Sequence, residues 1–342
     1  MNTCCASSGR RLTPPPKPLL LALCLVLAGG LFLLSLCVGP SGVGPAQVLG
    51  WALGRDVGAA AANILAYARL PRAVAAFLCG GALAVSGLLL QVALGNALAA
   101  PSTIGVNAGA GFFVVLSGVL FPLSLAARTV SAFLGAFLAA MLVYGLARST
   151  GGSRMTIVLA GVAITSLLSA GSDALVTFRP EAVMDRSSFS IGGFGGVVVP
   201  AFRGVLPFLL VALAGALLLS GRLNVLLLGD EVAASLGLRV GLCRFLALLC
   251  AALLAACAVS IGGLLSFVGL LVPHALRFLL GNDYRWLTPF SDVAGGVFLL
   301  LCDTLSRTLF APYELPVGIL LSFLGAPFFL WLLLGRKRRL AL

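Results

Sequence analysis

The chain has 342 residues, of which 61% are hydrophobic and only 9% charged. A soluble domain carries roughly 25% charged residues because its surface faces water, so a soluble globular protein is excluded and most of this exterior must face lipid. The formal net charge of +12 does not mark a nucleic-acid binder, because the basic residues are scattered between apolar runs and form no stripe.

Residues 1–18 read as a polar, Pro-rich cytoplasmic tail carrying Arg10, Arg11 and Lys17. Ten apolar runs follow, at 19–38, 72–94, 101–120, 124–147, 155–177, 202–220, 241–262, 264–280, 287–308 and 315–335. A crossing helix needs about 20 residues, and a helix satisfies its own backbone groups in hydrocarbon. The first run is too long for the core of a signal peptide, and further spans follow it, so it reads as the first crossing. The expected fold is therefore all-α and polytopic, with about ten transmembrane helices in one domain at 19–335 and a basic tail at 336–342. Placing both termini in the cytoplasm puts fourteen Lys and Arg on that side against eight on the other, as the positive-inside rule requires.

The polar features inside this apolar chain each need a reason. Arg69-Leu-Pro-Arg72 precedes the second crossing, where two positive charges oppose the helix dipole. They read either as interfacial snorkelling or as a cationic patch for an acidic partner. Gly105 and Gly109 have G-x-x-x-G spacing, as do Gly192 and Gly196; the second stretch reads as a bend. Leu228 to Gly237 is too short and polar to span. Its acidic start, Asp230-Glu231, and its glycine stop, Gly237, predict a short cytoplasmic surface helix. Asp173, Asp292, Asp303 and Arg307 are charges within or near crossings, which face protein, water or the interface. Asp303 and Arg307, four apart, share a helix face, which allows either a structural ion pair or an Arg307 placed at the outer mouth for a partner. Nine cysteines lie mostly in apolar runs, with no Cys-x-x-Cys, and the single His274 lacks nearby metal-ligand partners. No Gly-x-x-x-x-Gly-Lys-Ser/Thr loop is present, so the chain has no such phosphate cradle of its own.

Several ordered motifs carry a family resemblance. They are Arg69-Leu-Pro-Arg72, Gly80 to Gly87, Gln91, the Asn96 to Pro101 turn, Met155 to Ser169, Leu228 to Gly237, Gly262 to His274, Gly281 to Arg285, Asp303, Glu314 to Gly318 and Leu324 to Phe328. Over about 19–335 the chain resembles the FecCD/BtuC-like permeases of bacterial ABC importers, which carry iron-siderophore complexes, heme or vitamin B12. The family commonly has proline where this chain has Ala97. The resemblance implies ten helices per subunit arranged as inverted halves, in a type II importer. It implies a homodimer or a paired homologous permease, two cytoplasmic ABC ATPase subunits, an extracytoplasmic solute-binding protein and a setting in the bacterial inner membrane. This chain would be non-catalytic and bind no cofactor, with ATP and Mg used by the partner ATPases.

Residue by residue, the resemblance implies that Arg69, Arg72 and Arg307 dock the binding protein. It implies that Asp230, Glu231, Ala233, Ala234 and Gly237 belong to the helix that couples to the ATPases. Gly192, Gly193, Phe194, Gly195 and Gly196 would lie near the pore mouth. Iron-siderophore import is the first expectation, with vitamin B12 or heme as alternatives. An ion-coupled secondary transporter and a non-transporting assembly subunit are the rivals of another class.

Overall fold

Long runs rich in Leu, Ala and Val produce long helices, three of them with an interior proline (Pro273, Pro289 and Pro327), and these make up nearly the whole architecture. The computed structural model describes residues 17–340 except 40, 123, 151–152, 198, 200–202 and 312, and side chains at 182–185 and 331–340 also lie outside it. Most of the 1–18 tail and the side chains of the basic 336–342 tail therefore fall outside the described residues. The helices are α1 (Lys17–Cys37), α2 (Pro45–Ala52), α3 (Ala59–Asn63), α4 (Leu70–Ala93), α5 (Val106–Leu120), α6 (Leu125–Ser149) and α7 (Arg154–Phe178). They continue with α8 (Val183–Ile191), α9 (Leu206–Leu226), α10 (Asp230–Ser235), α11 (Val240–Gly262), α12 (Val268–Leu280), α13 (Tyr284–Ser306) and α14 (Val317–Leu340).

Among the described residues, seven helices are long and apolar enough to cross a membrane. Three apolar helices are shorter: Val106–Leu120, Val268–Leu280 and Val317–Leu330. All ten expected runs thus correspond to apolar helices; the one expected at 202–220 begins at Leu206, and two others begin late after an irregular entry. The run at 101–120 opens with a 3-10 turn, Pro101–Ile104, and then left-handed Gly105 before α5. The run at 264–280 opens with a non-helical stretch ending at left-handed Phe267 before α12. Gly105 is thus a helix entry rather than part of a helical G-x-x-x-G face.

The second crossing differs most from expectation. A continuous helix runs from Ala59 to Ala93, 35 residues, with α3 joined to α4 through a π-turn at Ile64–Arg69. At 1.5 Å per residue it is about 52 Å long, well beyond the ~30 Å of hydrocarbon. Its first turns must therefore project from the apolar layer or the helix must tilt strongly.

Glycine brings the central helices together. Gly80 on α4 meets the backbone of Gly295 on α13, Gly87 meets Gly269 on α12, and Gly109 on α5 meets Gly135 on α6. Close backbone approach of this kind replaces the missing hydrophobic drive between helices in lipid. Buried α4 packs against α11, α12 and α13, while α11 also packs on α6 and α9. Large apolar side chains on α1, α6, α7 and α9, such as Val26, Leu138, Leu167 and Leu218, are exposed. So much exposed apolar surface suits lipid and not water. A Cβ at Gly87 would run into the Gly269 carbonyl. Gly87→Ala is therefore expected to cost about 1–3 kcal/mol by overpacking, read as a lower thermal midpoint in detergent.

Candidate functional site

Two ends of the bundle carry the chemistry. At the first, α8 runs into the bend Gly192-Gly-Phe-Gly-Gly196, and three chain segments are stitched together by backbone hydrogen bonds. Gly193 N–H donates to Gly262 O at 2.8 Å, Leu264 N–H to Phe189 O at 3.0 Å, and Gly318 N–H to Gly192 O at 3.3 Å. Gly192 and Gly263 adopt φ of +69° and +71°, a region that favours glycine. Phe194 is buried against Gly262, whereas Gly195 and Gly196 are exposed. A cavity of about 530 Å³ is lined by Arg72, Arg128, Gly192 to Val197 and Glu314. A second, of about 510 Å³, is lined by Ser190, Ser266, Ser322 and Phe323, and Ile191 borders both.

Beside the first cavity sits a cluster of three arginines and two acids. Asp303 is 0% exposed and accepts from Arg72 Nε at 3.0 and 3.2 Å. Arg72, with 13% of its side chain exposed, also reaches Glu314, 41% exposed, at 2.7 Å through Nη1. The Asp303–Arg307 pair that the spacing allows is present but longer, at 3.5 Å. Asp303 is shared with Arg72 across 231 residues of sequence, which helical spacing cannot foretell.

Arg69 and Arg307 are 5% and 4% exposed, and both turn toward the end of α1. Arg69 donates to Leu36 O, to Val43 O at 3.0 Å and to Ser41 Oγ at 2.8 Å. Arg307 donates to Ser35 O at 2.8 Å and Ser35 Oγ at 2.7 Å. This removes the apparent dipole conflict. The helix carrying Arg69 starts ten residues earlier, at Ala59, and the guanidinium meets the negative end of α1, where a cation is favourable.

At the opposite end, α10 is the short helix expected from Asp230 to Gly237. Gly229 enters it at φ +98° and Gly237 leaves it at +82°. Ala233 is its buried contact, while Glu231 and Ala234 face outward. Leu227, Leu228, Val232 and Leu236 surround it as exposed apolar side chains. Asp230 is clasped by two helices: Arg154 of α7 donates at 2.6 Å, and Arg244 of α11 at 2.7 and 2.8 Å. Partial burial pushes the Asp230 carboxyl up, but the hydrogen bonds and charges of Arg244 and Arg154 outweigh it and hold the group below the usual carboxylate range. Nearby, Asp283 caps α13, and Asn224 of α9 donates to it at 2.7 Å. That amide bond is the main cause holding Asp283 below the ordinary range.

The FecCD transport family model matches residues 23–335. The chain belongs to the FecCD transport family. It is 37% identical over 268 residues to the probable siderophore transport system permease protein YfiZ of Bacillus subtilis, covering 77% of this chain and 80% of that one. It is 38% identical over 281 residues to the hemin transport system permease protein HmuU of Yersinia pestis, covering 79% and 83%. The fold matches a solved inward-facing ABC transporter assigned to the metal-chelate type, with TM-score 0.82 and 28% identity, covering 93% of this chain and 99% of that one. This FecCD chain is thus a membrane permease subunit, a non-catalytic role, with the all-α polytopic fold of that class.

In this FecCD permease the three expected arginines do come together, and the glycine bend shares its cavity with one of them, Arg72. The residues at 230–237 form the separate cluster at the other end. Asp173, a candidate intramembrane charge, lies near the end of α7 and pairs with Arg186 of α8. Sequence reasoning missed Arg154 and Arg244 as partners of Asp230, and Glu314 as a partner of Arg72. Separations of 76 and 242 residues for Arg154 and Glu314 leave no local signal.

Proposed function

We propose that this chain is the permease of an ATP-driven importer for metal chelates, with iron-siderophore complexes first. Its likeness to the siderophore and hemin permeases supports that class. In this reading ten helices cross the inner membrane, both termini are cytoplasmic, and the Asp230 end faces the cytoplasm. The packing supports inverted halves. Contact of α4 with α13 is mirrored by α11 with α6, α5 with α6 by α12 with α13, and α5 with α7 by α12 with α14. Short α5 and α12 occupy matching places, as paired short segments do in transporter repeats, and each begins at a left-handed residue.

The observation that carries the reading is α10. It is a six-residue helix ringed by exposed apolar side chains and ion-paired to α7 and α11. Such a knob suits a cleft in an ATPase subunit, and its motion would pass to two long helices. A second permease copy or homologue completes the path, and an extracytoplasmic binding protein docks at the Arg72 end. Alternating access then needs two conformations that bind these partners differently.

The test is reconstitution in lipid nanodiscs with cognate ATPases and binding protein. ATP hydrolysis should rise when chelate-loaded binding protein is added, and uptake into vesicles should follow ATP. Uptake by this chain alone, driven by an ion gradient, would overturn the proposal.

A further inference from the structure

We propose that Glu314 is an internal stand-in for the binding protein's carboxylate, holding the docking donor of Arg72 until the partner displaces it. The inference rests on the docking role proposed above for the Arg72 end. Of the three arginines, Arg69 and Arg307 are buried and bonded to the end of α1, so neither offers a donor to an arriving protein without breaking that attachment. Arg72 differs. Its Nε is held from behind by fully buried Asp303, and its Nη1 points to Glu314, the most exposed member of the cluster. Both line the same cavity of about 530 Å³, with Arg128 on its wall. The cavity gives an inserted acidic side chain room beside the guanidinium. Asp303 keeps Arg72 in place when Glu314 leaves. A carboxylate entering there makes the same charge-assisted bond that Glu314 makes now, so docking is an exchange of partners and not a gain of a new one. Exchange keeps affinity moderate and release fast, because Glu314 recaptures Arg72 as the partner lifts off.

The experiment measures binding of the cognate solute-binding protein to the full importer in nanodiscs. An exposed ion pair holds on the order of 1 kcal/mol, about a fivefold bias. Glu314→Gln is therefore expected to tighten docking about fivefold, chiefly by slowing dissociation. Glu314→Asp keeps the charge but shortens the reach, and is expected to tighten docking as well. Asp56→Asn removes an exposed acid that, among the described residues, accepts from Gly58 N–H, and is expected to change affinity less than twofold. Arg72→Gln is expected to weaken docking more than tenfold. Unchanged affinity in both Glu314 variants, or an equal gain in Asp56→Asn, overturns the stand-in role while Arg72→Gln still weakens. Unchanged docking in Arg72→Gln instead overturns the docking reading itself.

Discussion

Replacing Asp303 with alanine is expected to destabilise the folded chain by about 3–5 kcal/mol, the cost of breaking a buried ion pair from one side. The carboxylate has no exposed surface and lies between Arg72 at 3.0 Å and Arg307 at 3.5 Å. Without it, two guanidiniums face each other beside a third, Arg69. Arg307 also anchors Ser35, so repulsion there loosens α1 from α13. Asp303→Asn keeps the shape and some of the hydrogen bonding, and is expected to fall between the parent and the alanine variant. Stepwise heating in detergent followed by size-exclusion chromatography reads both. An alanine variant melting with the parent would mean that the arginine charges are screened by solvent rather than by Asp303.

Asp230→Asn is expected to uncouple the machine. Basal ATP hydrolysis should persist, stimulation by loaded binding protein should vanish, and uptake should fall at least tenfold, about 1.4 kcal/mol or more in effective coupling. The reason is mechanical: α10 reaches α7 through Arg154 and α11 through Arg244, and both attachments end on this one carboxylate. Its lowered pKa sets the pH response. A carboxyl with a depressed folded value contributes fully above its unfolded value, near pH 4, and loses that contribution only as pH falls through the folded one. Coupling in the parent is therefore expected to be flat from neutral pH down to about pH 4 as far as this group is concerned. Exchanging the charges, Arg154→Asp with Asp230→Arg, would bring a second cation up against Arg244 and is not expected to rescue. The informative companion is Arg154→Lys, which keeps the cation and should retain partial stimulation. Full stimulation in Asp230→Asn would show that α10 drives the helices by packing at Ala233 alone.

Much of this architecture was legible because lipid imposes a simple rule. Any run of about 20 apolar residues must become a helix, and the ten runs do mark apolar helices. The ends of those helices were less legible. The crossing expected at 72–94 begins at Ala59, because Ala-rich 59–62 continues a helix whose π-turn accommodates the chain before Pro71. Motif reading found α10 because acidic start and glycine stop are local signals. It also gathered the arginines, yet not their orientation, because the α1 carbonyls that hold Arg69 and Arg307 lie 33 and 272 residues away. Clasps made across such distances depend on packing, and packing leaves no periodic mark in one sequence.

The stitched segments around Gly192 limit how this end of the molecule can rearrange. Breaking one of these backbone hydrogen bonds costs on the order of 1 kcal/mol, and more where the freed group stays buried. The bonds from Gly193, Leu264 and Gly318 therefore weld the last turn of α8, the stretch after α11 and the head of α14 into a single lever. Any rearrangement here is expected to carry the three segments together, with backbone freedom concentrated at the exposed glycines Gly195 and Gly196.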